Sequence, residues 1–181
     1  MPLNKKDAER LLEGWPQEVH RELAAARVRI VGYVPDAGHK RLIELCQHDR
    51  KMHAVVLTTE EEGIGLAAGA WLGGQKSALL MQSSGVGNVI NAAGMLKTCR
   101  IPLVMIVTMR GEEGEFNSWQ VPMGRATPGV LEAMGVSVRR AARAEDVAPL
   151  VAEALKQDQA TAVLVSQRVI GIKSFQEQAN Q

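Results

Sequence analysis

Three consecutive carboxylates, Glu60, Glu61 and Glu62, head a glycine- and alanine-rich stretch from Thr58 to Lys76. Acids in the first turn of a helix complement its dipole, which accounts for two of them as surface residues. A carboxylate on the buried side is a candidate for acid–base work. Helical spacing sets Glu60 over Ile64, Ala67, Ala68 and Trp71, the more apolar stripe, and Glu62 over Leu66 and Gly69. The preference for Glu60 is narrow, because small residues occur on every side.

A second candidate is SSGVGNVINAAG, Ser83 to Gly94, placed where a strand gives way to a helix. Backbone N–H groups at such a glycine-rich helix start suit an anion or the edge of a flat ring. A dinucleotide site needs GxGxxG. Gly85 and Gly87 fit it, but the third position is Ile90, and the next strand ends in Met109–Arg110 where a ribose-binding acid belongs. What remains open is a tight turn without ligand, or a ligand other than a dinucleotide. A third candidate is the long polar loop Arg110 to Arg125. Its acids can be solvated, while Arg110 and Arg125 suit a sulfonate, phosphonate or carboxylate. Asp36 and His39 follow the first strand. Among His20, His39, His48 and His53 no two are adjacent, and only His39 falls on a ligand-side loop. Cys46 and Cys99 form no metal-ligand pattern and read as buried spacers. Trp15 and Trp119 read as packing or interface residues.

The elements that must hold these residues alternate. A helix is expected over about 4–26, broken at Gly14–Trp15–Pro16, then a strand from Val28 to Val34 stopped by Pro35. A helix over His39 to Gln47, a strand Ala54 to Leu57 and a helix from Glu60, capped by Thr58 or Thr59, come next. Strand Ser77 to Gln82, helix Val86 to Lys97 and the very apolar strand Pro102 to Met109 precede the long loop. Thr127–Pro128 reads as a helix start, Val136 to Val138 as a short strand, Ala144 to Lys156 as an amphipathic helix and Ala162 to Ser166 as the last strand. Continuous apolar strands separated by helices predict an α/β fold, a parallel sheet covered by helices on both faces. Ligands then gather beyond the carboxyl ends of the strands, where Pro35–Asp36, Thr58–Glu62, Ser83–Asn88 and Met109–Arg125 all lie.

With 181 residues the chain is sized for one domain, 1–181, ending in a loose polar tail at about 172–181. A net charge of +1 and 3% aromatic residues argue against nucleic acid or an anionic membrane as the partner. No apolar run approaches a membrane span, and the amino-terminal PLNKKDAERL is no export signal, so a cytoplasmic location is expected.

Taken in order, YVPD at Tyr33 to Asp36, EEEGIGLAAG at Glu60 to Gly69, SSGVGN at Ser83 to Asn88, IPLVMIVTMRG at Ile101 to Gly111 and QVPMGRATPGVLEAMG at Gln120 to Gly135 resemble the pyrimidine-binding domain of thiamine diphosphate enzymes. Within that family the resemblance points to decarboxylases of sulfopyruvate and phosphonopyruvate, and it covers about Val28 to Ser166. It implies that Glu60 bonds the N1′ atom of the cofactor's aminopyrimidine and shares a proton with it. Ser84, Gly85, Val86, Gly87 and Asn88 are then expected to line the cofactor, and the ligand-side Asp36, His39, Arg110 and Arg125 to face the substrate. The family's diphosphate and Mg2+ are held by a second domain bearing GDG, and no GDG occurs here. The resemblance therefore implies half an active site, completed by a β subunit that supplies the metal ligands, with a small anionic 2-oxo acid as substrate. Two rivals stand beside it. One is a regulatory subunit that keeps the fold without catalysing, against which Glu60 argues. The other is a nucleotide-binding module, against which Ile90 argues.

Overall fold

The computed structural model describes residues 14–171. Helix α1 (Trp15–Ala25) leads into β1 (Val28–Tyr33), α2 (Lys40–His48), β2 (His53–Val56), α3 (Glu60–Leu72), β3 (Lys76–Gln82) and α4 (Ser83–Thr98). Then follow β4 (Val104–Thr108), a single 3-10 turn (Ser118–Gln120), α5 (Val121–Ala133), β5 (Ser137–Ala141), α6 (Ala144–Ala154), β6 (Thr161–Val165) and the one-turn α7 (Gln167–Ile170). All strand pairings are parallel and the sheet order is β2-β1-β3-β4-β6-β5. The expected α/β architecture is the one observed.

The central strands β3, β4 and β6 are largely apolar because both faces are covered, and their alternation divides the core. Ala78, Leu80, Val104, Ile106, Val163 and Val165 point to one side, where they meet α1, α2 and α6. Leu79, Met81, Met105, Val107, Ala162 and Leu164 point to the other, where they meet α3, α4 and α5. Burying a whole aliphatic side chain contributes about 1.5–3 kcal/mol, so these two layers carry the fold. Because every strand runs the same way, Tyr33, Val56, Gln82, Thr108 and Val165 all end on one edge, and the ligand-side loops share that edge.

Several expectations need correction. Pro16 opens α1 rather than breaking it; the stretch before residue 14, like the tail at 172–181, lies outside the described residues. The glycine-rich segment is not a turn, because β3 ends at Gln82 and α4 begins at Ser83. The long loop stops at Asn117, and α5 starts at Val121 with Pro122 in its first turn. Pro128 therefore lies inside α5, so the proline that resembled a helix start is a mid-helix residue. Strand β5 reaches Ala141, hidden in the sequence by exposed Arg139 and Arg140 at the sheet's edge. Trp71 leaves the buried stripe of α3 and is 42% exposed. Cys46 is buried as expected, but Cys99 is exposed.

Candidate functional site

Glu60 is the first residue of α3 and is only 7% exposed. Thr59 is its N-cap in extended backbone, but no side-chain cap bond forms. Instead Glu62 reaches back and accepts the Thr58 N–H at 2.8 Å. Glu61 and Glu62 are exposed. Glu60 turns inward onto the start of α4. There Asn88 Nδ2 donates to Glu60 Oε2 at 2.8 Å. Gly85 makes the approach possible: a Cβ at that position would stand 2.2 Å from Glu60 Oε1 and 2.4 Å from its carboxyl carbon. The structure thus brings together Glu60, Gly85 and Asn88. Gly87 is exposed beside them, and Val86 turns its side chain into the core.

A second cluster occupies the same edge on the other side of β3. Gln82 and Thr108 are register partners at the ends of β3 and β4. Both reach Asp36: Gln82 Nε2 donates to Oδ1 at 2.8 Å and Thr108 Oγ1 donates to Oδ2 at 2.7 Å. The Gly38 N–H donates to Oδ2 at 3.1 Å. A Cβ at Gly38 would lie 2.9 Å from both Asp36 Oδ2 and Thr108 Cγ2, so only glycine lets the loop wrap the carboxylate this tightly. Burial opposes ionisation of Asp36, but contacts with His39, Thr108 and Gly38 outweigh it and hold the carboxyl well below the usual range. Ser84 Oγ donates to Gln82 Oε1 at 2.9 Å, so Ser84 ties the start of α4, and with it the Glu60 site, to the Asp36 cluster.

Asp36, Gln82, Arg110 and Gln167 line a cavity of about 90 Å³ on this edge. Arg110 is 5% exposed and is gripped by Glu115, with Nε–Oε2 and Nη2–Oε1 both at 2.6 Å. The fork–fork pairing holds the Glu115 carboxyl at about 2; burial opposes this, and the Asn117 and Gly111 N–H groups assist it. The guanidinium thus reaches the cavity with its charge already matched. Arg125 stands exposed on α5. His39 is fully buried, behind Asp36 and against Trp15. Among the described residues no three His, Cys, Asp or Glu side chains gather as a metal site, and no helix is long and apolar enough to cross a membrane.

The chain is 41% identical over 121 residues to a protein of Methanococcus maripaludis named sulfopyruvate decarboxylase subunit alpha, covering 66% of this chain and 72% of that one. It is 37% identical over 154 residues to the protein of that name from Methanothermobacter thermautotrophicus, covering 82% and 93%. The chain belongs to the sulfopyruvate decarboxylase α-subunit family. No general protein-family model matches it. A solved structure ascribed to a thiamin diphosphate-dependent enzyme from Mycobacterium smegmatis shares the fold, with a TM-score of 0.66 at 14% identity over 89% of this chain and 33% of that longer one.

In this α-subunit family member, sequence reasoning had no signal for Gln82, Thr108, Glu115 or Gln167. Gln82 and Thr108 look like ordinary polar strand ends. Their meeting at Asp36 depends on a sheet order in which β1, β3 and β4 are neighbours. Glu115 resembles any loop acid until its backbone folds back onto Arg110.

Proposed function

We propose that this chain is the pyrimidine-binding α subunit of a thiamine diphosphate-dependent sulfopyruvate decarboxylase, acting with a β subunit that supplies the diphosphate and Mg2+ ligands. The observation that carries the reading is the contact of Glu60 with Gly85 and Asn88. The residues present fit the aminopyrimidine end of the cofactor. Asn88 fixes one carboxyl oxygen, and the absence of a side chain at Gly85 leaves the carboxyl flush with the α4 backbone, a flat surface for a ring edge.

When bound, the cofactor serves as the electron sink that lets carbon dioxide leave a 2-oxo acid. The chain's own part is to manage a proton. Glu60 holds or releases a proton at the ring nitrogen that faces it, and the nearly dry setting keeps that proton from exchanging freely with water. Asn88 fixes the direction of the carboxyl. Ser84 and Gln82 connect this side of the edge to the Asp36 cavity, where the substrate's polar groups would be oriented. A carboxylate that must leave is best not clamped in the ground state. Asp36, an anion beside that cavity, offers the leaving carboxylate no clamp.

The test is reconstitution with the companion chain carrying GDG and a downstream asparagine. Calorimetry should show tight, Mg2+-dependent cofactor binding only for the mixed subunits, and the mixture should release carbon dioxide from sulfopyruvate faster than from phosphonopyruvate or pyruvate. Tight binding to this chain alone would overturn the divided site. A mixture that binds cofactor but decarboxylates none of the three would overturn the activity.

A further inference from the structure

Among the described residues His39 stands out as a fully buried side chain with two unsatisfied ring nitrogens. Buried polar atoms are nearly always satisfied, and leaving one unpaired costs about 1–3 kcal/mol. The ring is pinned by position: it is the N-cap residue of α2, and the indole of Trp15 meets it edge-on with centroids 6.3 Å apart. Asp36 Oδ2 lies 3.5 Å from Nδ1. That separation is longer than a well-formed hydrogen bond, so the pair is held by the packing around it rather than by a bond of its own.

We propose that His39 is a positioning residue that acts through Asp36, directing its carboxylate toward the cavity. The inference rests on the decarboxylase reading above. Since His39 is sealed under Trp15, it cannot touch substrate itself; this replaces the substrate contact expected from the sequence. Asp36 takes two protein donors at Oδ2, from Thr108 and Gly38, and one at Oδ1, from Gln82. The imidazole lies behind Oδ2, with Nδ1 3.5 Å away. The other charged group facing this pair is Arg110 across the cavity, matched by Glu115. Gln82, Thr108, Gln167 and Trp15 bring no charge.

Two experiments test the proposal. In the full-length chain alone, carbon-detected NMR should show the Asp36 carboxyl ionised throughout the accessible acid range, and His39→Leu should bring its titration into that range. An unchanged titration overturns the pairing, and this readout holds even if the assembled subunits do not decarboxylate sulfopyruvate. In the assembled enzyme, His39→Leu should lower kcat/KM about tenfold. His39→Asn places an amide nitrogen where the ring carries Nδ1 and should recover most of the loss. His39→Gln, with its nitrogen nearer the Nε2 place, should not. On an Asp36→Asn background, His39→Leu should add nothing. Equal losses for the Asn and Leu variants, or additive losses with Asp36→Asn, overturn the proposal. If His39→Leu fails to fold, the contrast between His39→Asn and His39→Gln still decides.

Discussion

Of three carboxylates in a row a single one turns inward, and burial separates it from its neighbours. Glu60 faces Asn88 and Gly85, whereas Glu61 and Glu62 face water. In the reconstituted enzyme Glu60→Gln should keep the fold and cut kcat by ~100- to ~10,000-fold, the usual cost of a lost positioned acid–base group. Glu61→Gln and Glu62→Gln should change kcat by far less. Steady-state kinetics on the three variants checks the assignment, and a dominant effect at Glu61 or Glu62 would move the site along the helix. The two glycines that open α4 should also differ. Gly85→Ala drives a methyl group into the Glu60 carboxyl and should abolish cofactor-dependent turnover. At Gly87 the nearest atom to an added Cβ is Met123 Sδ at 3.5 Å, an ordinary contact, so Gly87→Ala should be well tolerated.

At the scale of elements, the segment between β4 and α5 is a strap tied down by two carboxylates. Glu112 accepts from Ser166 Oγ, the Gln167 N–H and Arg140. Glu115 accepts from Arg110, the Gly111 and Asn117 N–H groups and Gln167. Both have lowered proton affinity in the folded chain. A carboxyl with a depressed folded value stabilises the fold above its unfolded value and loses that contribution as pH falls. For Glu115 the window runs from its ordinary 4.5 down to about 2. Glu115→Gln should therefore lower the melting temperature at neutral pH, and the deficit against the parent should shrink as pH falls through that window. Removing one partner of a buried pair costs about 3–5 kcal/mol. Thermal melts across acid pH measure both effects. The strap also shows where sequence reading stopped. The strands were legible because burial on both faces leaves unbroken apolar runs such as Leu103–Val107. The start of α5 was not, because Pro122 and Pro128 both resemble first-turn prolines and packing decides between them. Gly124 settles the matter: a Cβ there would strike the Arg110 carbonyl oxygen at 2.0 Å, so α5 is pressed against the end of β4. The inward turn of Glu60, rather than of Glu61 or Glu62, was legible from helical spacing. The Asp36 cluster was not, since its members are 46 and 72 residues apart in sequence.

For the whole molecule, the parallel sheet gathers the Glu60 and Asp36 clusters on one edge, beyond the carboxyl ends of its strands. The two halves of that edge lie on opposite faces of β3, with Glu60 on the side of α3 and α4 and Asp36 on the side of α1 and α2. Ser84 and Gln82 bridge them. Loosening that bridge should separate binding from catalysis. In the assembled enzyme Gln82→Leu should disturb Asp36 and raise KM for sulfopyruvate several-fold, while cofactor affinity, read by calorimetry, changes little. An equal loss of cofactor affinity would show that the two sides do not act as distinct sub-sites.

Helix α4 also gives the chain a built-in reporter. Its first turn lies against Glu60, and Cys99, exposed, follows directly after its last residue. The only other thiol, Cys46, is buried, and that burial, with the Asp49 charge, pushes it up to about 12, which leaves it inert to alkylating probes. A maleimide dye should therefore couple to the native chain at one position and reach the second only after denaturation. At 1.5 Å of rise per residue the dye would stand roughly 24 Å from the end of the helix that meets Glu60. That is far enough to spare the chemistry and within range of energy transfer to a labelled companion chain, so assembly could be followed in real time without altering a single residue.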